Sequence, residues 1–245
     1  MALIVIPARY SSSRFPGKPL VEINGLPMVV RVYRQAIKSE LGKKVIIATD
    51  DLRIFEIAKK FKCNVEMTSE KHRSGTDRVS EIAIKNKFEI VVNLQGDEPF
   101  IEPDVIDGAI EVLKKDSGAD ISTPIKKIEN GAEIDDENVV KVVFNEKNFA
   151  LYFSRAPIPF YRDNTEQSYY KHIGLYAFRK NSLEKFVRLK QSKLEKIEKL
   201  EQLRALENNM KIKVFQTSYN SISIDTPEDL EKLMQVHGSR FIVQR

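Results

Sequence analysis

A short segment near the N-terminus, between Arg9 and Lys18, concentrates residues that bind anions. It holds three consecutive serines, the cations Arg9, Arg14 and Lys18, and a proline-glycine pair that favours a turn. The segment follows an apolar run, Leu3–Pro7, which predicts a buried strand. Such a loop can present backbone N–H groups to phosphates while its cations neutralise charge. An ordinary basic surface loop is the alternative, but the position beside a buried strand end favours phosphate binding.

This segment differs from the two familiar glycine-rich phosphate loops. It lacks the spacing G-x-x-x-x-G-K-[ST], because Ser12 stands at the first glycine position and Pro19 follows the lysine. The pattern G-x-G-x-x-G is also absent from the sequence. Its absence argues against a dinucleotide-dependent oxidoreductase.

Two aspartates at the ends of strand-like runs could hold Mg²⁺. Asp97 follows the predicted strand Glu89–Gln95, and Asp225 precedes a predicted helix that Thr226 would cap. Mg²⁺ typically takes one or two protein carboxylates together with substrate phosphates. A turn role for Asp97 and a helix-capping role for Asp225 are the alternatives. The sequence alone leaves open whether the two carboxylates converge.

Other polar residues follow predicted strands or begin predicted helices. The segment His72–Arg78 begins a helix and suits an anion or the edge of a base, although Ser74 could simply cap the helix. Arg155 could pair with a substrate carboxylate. His172 and Tyr176 are four residues apart on a predicted strand, which would place both side chains on one face. His172 could also act as a general base.

The elements that must position these residues alternate between strand and helix in the first half of the chain. Continuously apolar strands separated by amphipathic helices predict an α/β fold with a mostly parallel sheet covered on both faces. The predicted strands are Leu3–Pro7, Lys44–Ala48, Asn64–Met67 and Glu89–Gln95. The predicted helices are Met28–Lys38, Leu52–Phe61, Gly75–Asn86 and Pro103–Lys114.

In the second half of the chain, predicted strands follow one another without intervening helices. This pattern predicts an antiparallel lobe embedded at about residues 120–178. Its predicted strands are Ile121–Ile125, Val139–Asn145, Phe149–Ser154 and His172–Phe178. After them the sequence predicts two helices and a strand, at Ser182–Leu189, Leu194–Glu207 and Ile212–Phe215. We expect a single domain over residues 1–235, followed by a tail at 236–245.

The composition is that of a globular chain of 245 residues, with 42% apolar and 31% charged residues. No apolar run approaches the ~20 residues that span a bilayer, so no membrane partner is expected. Cys63 is the one cysteine, which excludes an intrachain disulfide and favours inert core packing and a cytoplasmic location. The net charge of +5 could indicate nucleic acid binding. However, cations and anions are mixed throughout, which favours a solvated surface and no nucleic acid partner.

Seven segments, in order over about residues 3–233, are similar to those of one enzyme family. Together they resemble the 3-deoxy-manno-octulosonate (Kdo) cytidylyltransferases, also called CMP-Kdo synthetases. The segments are Ile6–Leu20, His72–Arg78, Val92–Pro99, Leu151–Pro159, His172–Tyr176, Leu200–Arg204 and Asp225–Leu230.

The resemblance implies a Rossmann-like nucleotide-diphospho-sugar transferase fold, with a mostly parallel central sheet and a smaller antiparallel dimerisation and sugar-binding lobe. It implies a cytoplasmic homodimer that catalyses CTP + Kdo → CMP-Kdo + diphosphate with Mg²⁺, for lipopolysaccharide biosynthesis. An enzyme for an amino-substituted Kdo or a sialic acid is an alternative, although the first loop is unlike that of sialic acid enzymes. A non-catalytic nucleotide-binding or nucleic-acid-binding protein is the alternative from another class.

The resemblance also assigns roles to residues. Catalysis would use Lys18 together with the two aspartates that hold Mg²⁺, Asp97 and Asp225. The expected nucleotide-binding residues are Pro7, Ala8, Arg9, Ser12, Arg14, Lys18, Arg73, Ser74 and Arg78. The expected residues near the acidic sugar are Gln95, Arg155, His172, Tyr176 and Glu201.

Overall fold

A computed structural model of the chain describes residues 1–11, 15–163, 167–221, 223–224 and 226–231. The chain divides into two compact units. The first unit comprises Met1–Asp107 and Ser221–Arg245, and the second comprises Gly108–Asn220. The division falls within a helix that spans Pro103–Lys115.

Among its described residues, the first unit contains six strands, four of which are parallel neighbours in a sheet. Its strands are β1 (Ala2–Ala8), β2 (Glu22–Ile23), β3 (Leu26–Pro27), β4 (Gly42–Thr49), β5 (Val65–Met67) and β6 (Ile90–Leu94). Its helices are α1 (Met28–Ala36), α2 (Leu52–Lys60) and α3 (Gly75–Ile84), and α4 is the helix Pro103–Lys115. The strand order is β5-β4-β1-β6, while β2 and β3 form a separate hairpin. Every residue of β1 and β6 is buried, which explains their continuous apolar runs.

The parallel arrangement brings three strand ends to one edge of the sheet. Strands β1, β4 and β6 end at Ala8, Thr49 and Leu94, respectively. The residues that follow these ends therefore share the edge at which ligands bind in open α/β sheets. The last described helical turn of this unit covers residues 227–231. Thr226 caps it as expected, since the Asp229 N–H donates to Thr226 Oγ1 at 3.3 Å.

The second unit has mixed strand directions. Its strands are β7 (Ile121–Lys127), β8 (Lys141–Phe144), β9 (Ala150–Ser154), β10 (Tyr170–His172), β11 (Leu175–Arg179) and β12 (Ile212–Gln216). Its helices are α5 (Ala132–Asp135), α6 (Lys180–Arg188), α7 (Lys193–Glu198) and α8 (Gln202–Glu207). Strand β7 pairs antiparallel with β10 and β11 and parallel with β12, and β8 pairs antiparallel with β9 and β10. The predicted α/β class, mostly parallel with a smaller antiparallel part, is confirmed.

Two elements of the second unit that the sequence predicts as continuous are each divided in the structure. The predicted strand His172–Phe178 is divided into β10 and β11, because the Leu175 N–H bonds to the Ile173 carbonyl at 2.7 Å in a tight three-residue turn. The predicted helix Leu194–Glu207 is divided into α7 and α8. Lys199 ends α7 with φ of 55°, a left-handed conformation that a helix cannot continue through.

Candidate functional site

The structure brings Lys18 and Asp97 into direct contact. The Lys18 ammonium lies 2.9 Å from Asp97 Oδ2, and the two side chains are 15% and 22% exposed. Lys18 opens a 3-10 turn that follows Gly17, whose φ of 75° lies in the left-handed region that favours glycine. Asp97 follows β6. A cation and a carboxylate from positions 79 residues apart therefore meet at the carboxyl edge of the sheet.

Two glycines allow the backbone to approach Pro7 closely at this edge. A Cβ on Gly96 would lie 3.1 Å from the Pro7 carbonyl oxygen, and one on Gly75 would lie 3.2 Å from Pro7 Cγ. The end of β1, the loop after β6 and the start of α3 therefore pack closely together at these two glycines. The predicted nucleotide-binding residues Pro7 and Ala8 form part of this packed edge.

The start of α3 is held by a reciprocal capping box. The Asp77 N–H donates to Ser74 Oγ, and the Ser74 N–H donates to Asp77 Oδ2, both at 3.1 Å. The preceding loop is held by Glu81, which accepts from the Ser69 N–H at 3.0 Å and lies 2.7 Å from His72 Nε2. Burial opposes ionisation of Glu81, but hydrogen bonds from Lys85, the Ser69 backbone and His72 lower its pKa to about 2. This loop carries Arg73, which is exposed.

Arg78 is fully buried and faces the end of β4. Its Nη2 donates to Asp50 Oδ2 at 2.5 Å and its Nη1 donates to Thr68 Oγ1. The Nε of Arg78 has no hydrogen-bond partner among the described residues. Arg78 therefore joins α3 to the residues that follow β4 and β5, and within the described residues its guanidinium is enclosed by protein. Arg9 directly follows β1 and is partly exposed.

In the second unit, Arg155 is held by main-chain groups. Its Nε donates to the Glu198 carbonyl and its Nη1 to the Glu137 carbonyl, both at 2.8 Å. The Glu198 carboxylate instead accepts from Ser154 Oγ at 2.7 Å and from the Arg155 backbone N–H at 3.0 Å. The guanidinium of Arg155 therefore keeps a fixed position without a carboxylate contact among the described residues. Such a cation is suited to a carboxylate ligand.

Tyr176 lies beside His172 and within reach of the Glu201 charge, all three in the second unit. The rings of His172 and Tyr176 are 5.2 Å apart between centroids. The tight turn between β10 and β11, and not a shared strand, brings the two rings together. Burial, and secondarily the charge of Glu201, raise the pKa of Tyr176. Arg204, which is buried and paired with Glu195, also lies 3.4 Å from Glu201 Oε1.

His172 is held as a neutral hydrogen-bonding group. Both it and Tyr176 are half-buried by surface area, yet enclosure of the ring by protein lowers the pKa of His172 to about 3. Thr123 Oγ1 donates to the Leu175 carbonyl at 2.7 Å and lies 2.9 Å from His172 Nε2. Since the hydroxyl has one proton, this pattern assigns the imidazole proton to Nε2 and leaves Nδ1 as an acceptor. A base this weak is poorly matched to proton abstraction near pH 7.

Three residues named by sequence, Ser12, Arg14 and Asp225, lie outside the described residues. The residue before Asp225 is described. The Ile224 backbone N–H donates to the Asp97 carbonyl oxygen at 3.1 Å, and its side chain packs in a core cluster with Met28. Ile224 is therefore anchored beside Asp97. The last remaining predicted residue, Gln95, belongs to the first unit, whereas the other four predicted sugar-binding residues belong to the second.

Sequence reasoning missed several residues that organise these groups. Asp50 follows a buried strand, as Asp97 does, so its position at a strand end was an available signal. Asn93 is a polar residue within the apolar run of β6, which is also visible in the sequence. Glu198 lies in a stretch of alternating lysine and glutamate, and no pattern distinguishes it there.

Comparison with known proteins places this chain in a family. The sequence profile of the cytidylyltransferases matches residues 3–212. A 3-deoxy-manno-octulosonate cytidylyltransferase of Geobacter sulfurreducens is 46% identical, over 94% of this chain and 97% of that protein. One from Solibacter usitatus is 48% identical, over 95% and 92%.

A solved structure agrees with these relatives. It is that of CMP:2-keto-3-deoxy-manno-octonic acid synthetase complexed with CTP, with a TM-score of 0.91, 40% sequence identity, and coverage of 96% of this chain and 98% of that one. The chain therefore belongs to the cytidylyltransferase family and, within it, to the 3-deoxy-manno-octulosonate cytidylyltransferases.

Proposed function

We propose that this protein transfers the cytidylyl group of CTP to Kdo, forming CMP-Kdo and diphosphate and so activating Kdo for lipopolysaccharide biosynthesis. The observation that carries the proposal is the Lys18–Asp97 pair, 2.9 Å apart at the carboxyl edge of the parallel sheet. This pair lies in a chain that is 40% identical to a synthetase solved with CTP. Relatives at 46–48% identity bear the name of the Kdo enzyme.

In the proposed reaction, the anomeric hydroxyl oxygen of Kdo forms a bond to the α-phosphorus of CTP. The bond between the α-phosphorus and the bridging oxygen breaks, diphosphate leaves in line, and the hydroxyl proton passes to solvent. Such a reaction depends mainly on positioning and on charge neutralisation. Lys18 would exchange its contact with Asp97 for a phosphate oxygen and so offset charge that develops there.

The residues present fit Mg²⁺. Asp97 offers a half-buried carboxylate, and oxygen ligands of this kind are the ones Mg²⁺ prefers. No group of three or more His, Cys, Asp or Glu is placed to hold a metal among the described residues. At phosphate-transfer sites Mg²⁺ usually takes only one or two protein carboxylates, and we propose Asp97 and Asp225 for this role. When bound, Mg²⁺ would neutralise phosphate charge and align the phosphates for displacement.

We propose that Arg155 binds the carboxylate of Kdo and that His172, Tyr176 and Glu201 bind its hydroxyl groups. The main-chain contacts of Arg155 support the first assignment, because they orient the guanidinium without neutralising its charge. For His172, Nδ1 would accept a hydrogen bond from a hydroxyl group. The proximity of Tyr176 to this imidazole, and of the Glu201 charge to Tyr176, supports the second assignment.

The test of the reaction is diphosphate release from purified protein. We expect release with CTP, Mg²⁺ and Kdo together, and none when CTP, Kdo or Mg²⁺ is omitted. Parallel assays with 8-amino-Kdo and with sialic acid test sugar selectivity. Release with sialic acid and none with Kdo would overturn the proposal, as would steeply salt-dependent DNA binding without any diphosphate release.

The role of Asp97 is tested by Asp97→Asn, which keeps the shape of the side chain but removes its charge. We expect turnover to fall about 100-fold or more at saturating Mg²⁺, because a metal-binding carboxylate is lost. The matched control is Asp116→Asn, which removes the carboxylate of another lysine–aspartate pair, with Lys213. Near-normal turnover of Asp97→Asn would contradict the metal assignment.

A further inference from the structure

Three side chains of the first unit form a continuous chain of hydrogen bonds. Asn93 Nδ2 donates to Thr76 Oγ1 at 3.1 Å, and Gln95 Nε2 donates to Asn93 Oδ1 at 3.2 Å. Asn93 is 1% exposed and Thr76 is 3% exposed, whereas Gln95 is partly exposed. The chain therefore runs from the first turn of α3, through the interior of β6, to a side chain at the edge of the sheet.

The interior position of Asn93 is unfavourable unless the amide is paired. The other four residues of β6, Ile90, Val91, Val92 and Leu94, are apolar. Burying an amide among them costs free energy unless its donor and acceptor are both bonded. Thr76 Oγ1 accepts from the nitrogen of the Asn93 amide, and Gln95 Nε2 donates to its oxygen. An apolar residue at position 93 would pack in the core without these partners, whereas the amide of Asn93 links Thr76 to Gln95.

The amide of Asn93 fixes the orientation of the Gln95 side-chain amide. The Nε2 group of Gln95 is directed at Asn93, and its carbonyl oxygen Oε1 consequently points the other way. That oxygen lies 4.0 Å from the position a Cβ of Gly75 would occupy. Gln95 thus directs an acceptor toward the start of α3, where Gly75 contributes no side chain.

We propose that Asn93 and Thr76 are positioning residues that fix the Gln95 amide so that its oxygen accepts a hydrogen bond from a donor group on a substrate. This inference rests on the proposed function for the identity of the substrates. The donor is either a hydroxyl of the sugar or the exocyclic amino group of cytosine, which share this chemistry. Kinetic constants measured separately for Kdo and CTP distinguish the two sources.

The first test observes the Gln95 amide directly in the ligand-free protein. With [¹⁵N-amide]glutamine labelling, the Gln95 side-chain NH₂ signals are identified by their loss in Gln95→Glu. We expect Asn93→Leu to shift these signals, because the Nε2 donor loses its partner. Thr76→Val should shift the Gln95 signals by a smaller amount. Thr76→Ser, which keeps the hydroxyl, should leave them at their positions in the unaltered protein. Unchanged Gln95 signals in Asn93→Leu would overturn the proposal.

The second test is a double-mutant cycle on the kinetics. In the otherwise unchanged protein, Asn93→Leu should raise KM for one substrate about five- to ten-fold, as expected for one misdirected hydrogen bond, with a smaller change in kcat. In a Gln95→Ala background the same substitution should change that KM less than about two-fold, because Asn93 acts through Gln95. The same fold-change in KM in both backgrounds would show that Asn93 has a general packing role and would overturn the proposal.

The matched control is Ser80→Ala. Ser80 lies in α3, is 3% exposed, and has a hydroxyl with no hydrogen-bond partner among the described residues. Its removal should leave both the Gln95 signals and KM unchanged. If the unaltered protein releases no diphosphate from CTP and Kdo, the proposed function fails, while the labelling experiment still decides the positioning role. If the protein is active and the Gln95 signals do not respond to Asn93→Leu, the positioning role alone fails.

Discussion

At the scale of single residues, the fold strongly changes the titration of His172. Burial lowers its pKa from the ordinary 6.5 to about 3. In the unfolded chain the imidazole takes up a proton near pH 6.5, whereas in the folded protein it stays neutral down to about pH 3. The unfolded state therefore binds more protons in this window, and the free energy of unfolding must fall as the pH falls through it.

We predict that His172→Gln removes this part of the pH dependence. The unaltered protein should lose about 3 kcal/mol more stability than His172→Gln between about pH 7 and about pH 4. Urea denaturation at a series of pH values measures the difference. Tyr176→Phe is the control, because the raised pKa of Tyr176 keeps it protonated throughout this window. Parallel stability curves for the unaltered protein and His172→Gln would mean that His172 titrates normally.

Lys18 is the second residue with a specific expectation. If it offsets charge that develops on the phosphates, Lys18→Ala should lower kcat by about 100-fold, as removal of a charge-stabilising donor does. Lys18→Arg, which keeps the cation, should lose less. Steady-state kinetics with both substrates measure these effects. A change confined to KM for the sugar would contradict the role given to Lys18.

At the scale of elements, Arg78 joins α3 to the ends of two strands. Its guanidinium is fully buried and its charge is balanced by Asp50, which is 19% exposed. Thr68 completes the junction by accepting from Arg78 and donating to the Thr49 carbonyl at 3.0 Å. The start of α3 is therefore fixed relative to β4 and β5. The capping loop that carries Ser74 depends on that junction.

Loss of the Asp50 charge should destabilise this junction strongly. We predict that Asp50→Asn lowers the free energy of unfolding by about 3 kcal/mol, because it leaves a buried guanidinium without a counter-charge. Lys115→Ala is the control, since it removes an exposed helical ion pair with Glu111 and should cost less than about 0.5 kcal/mol. Chemical denaturation measures both. Similar small effects for the two variants would show that the buried pair contributes no more than a surface pair.

At the scale of the whole molecule, burial makes the single cysteine inert. Cys63 is 5% exposed, and burial raises the pKa of its thiol to about 11. The thiol therefore stays protonated and packs as a small apolar group, as its isolation in the sequence indicated. No helix in the described part of the chain is long and apolar enough to cross a bilayer.

We propose, from the resemblance to its family, that the protein is a homodimer in the cytoplasm. Light scattering coupled to size-exclusion chromatography should give a mass about twice that of the 28.2 kDa chain. The second unit exposes Phe160 at 88%, Ile197 at 65% and Leu151 at 60%, and large exposed apolar side chains are typical of interfaces. A mass of one chain at every concentration tested would contradict the homodimer.

The sequence by itself determined the fold class, the family and the groups that follow the strand ends. Apolar runs reveal parallel strands because both faces of such strands are buried, and strand ends therefore mark the ligand-binding edge. This logic points to Lys18 and Asp97 from the sequence alone. Short sequence patterns were also sufficient for features that depend on neighbouring residues, such as the capping of α3 by Ser74.

Only the tertiary structure decided which side chains meet and in what state. The Lys18–Asp97 contact joins residues 79 positions apart, and the pairing of Arg78 with Asp50 encloses a cation that the resemblance assigned to nucleotide binding. The neutrality of His172 follows from burial by distant segments, and the orientation of Gln95 from a bond to Asn93. Contacts, burial and pKa arise from residues that are far apart in the chain, so no local pattern could specify them.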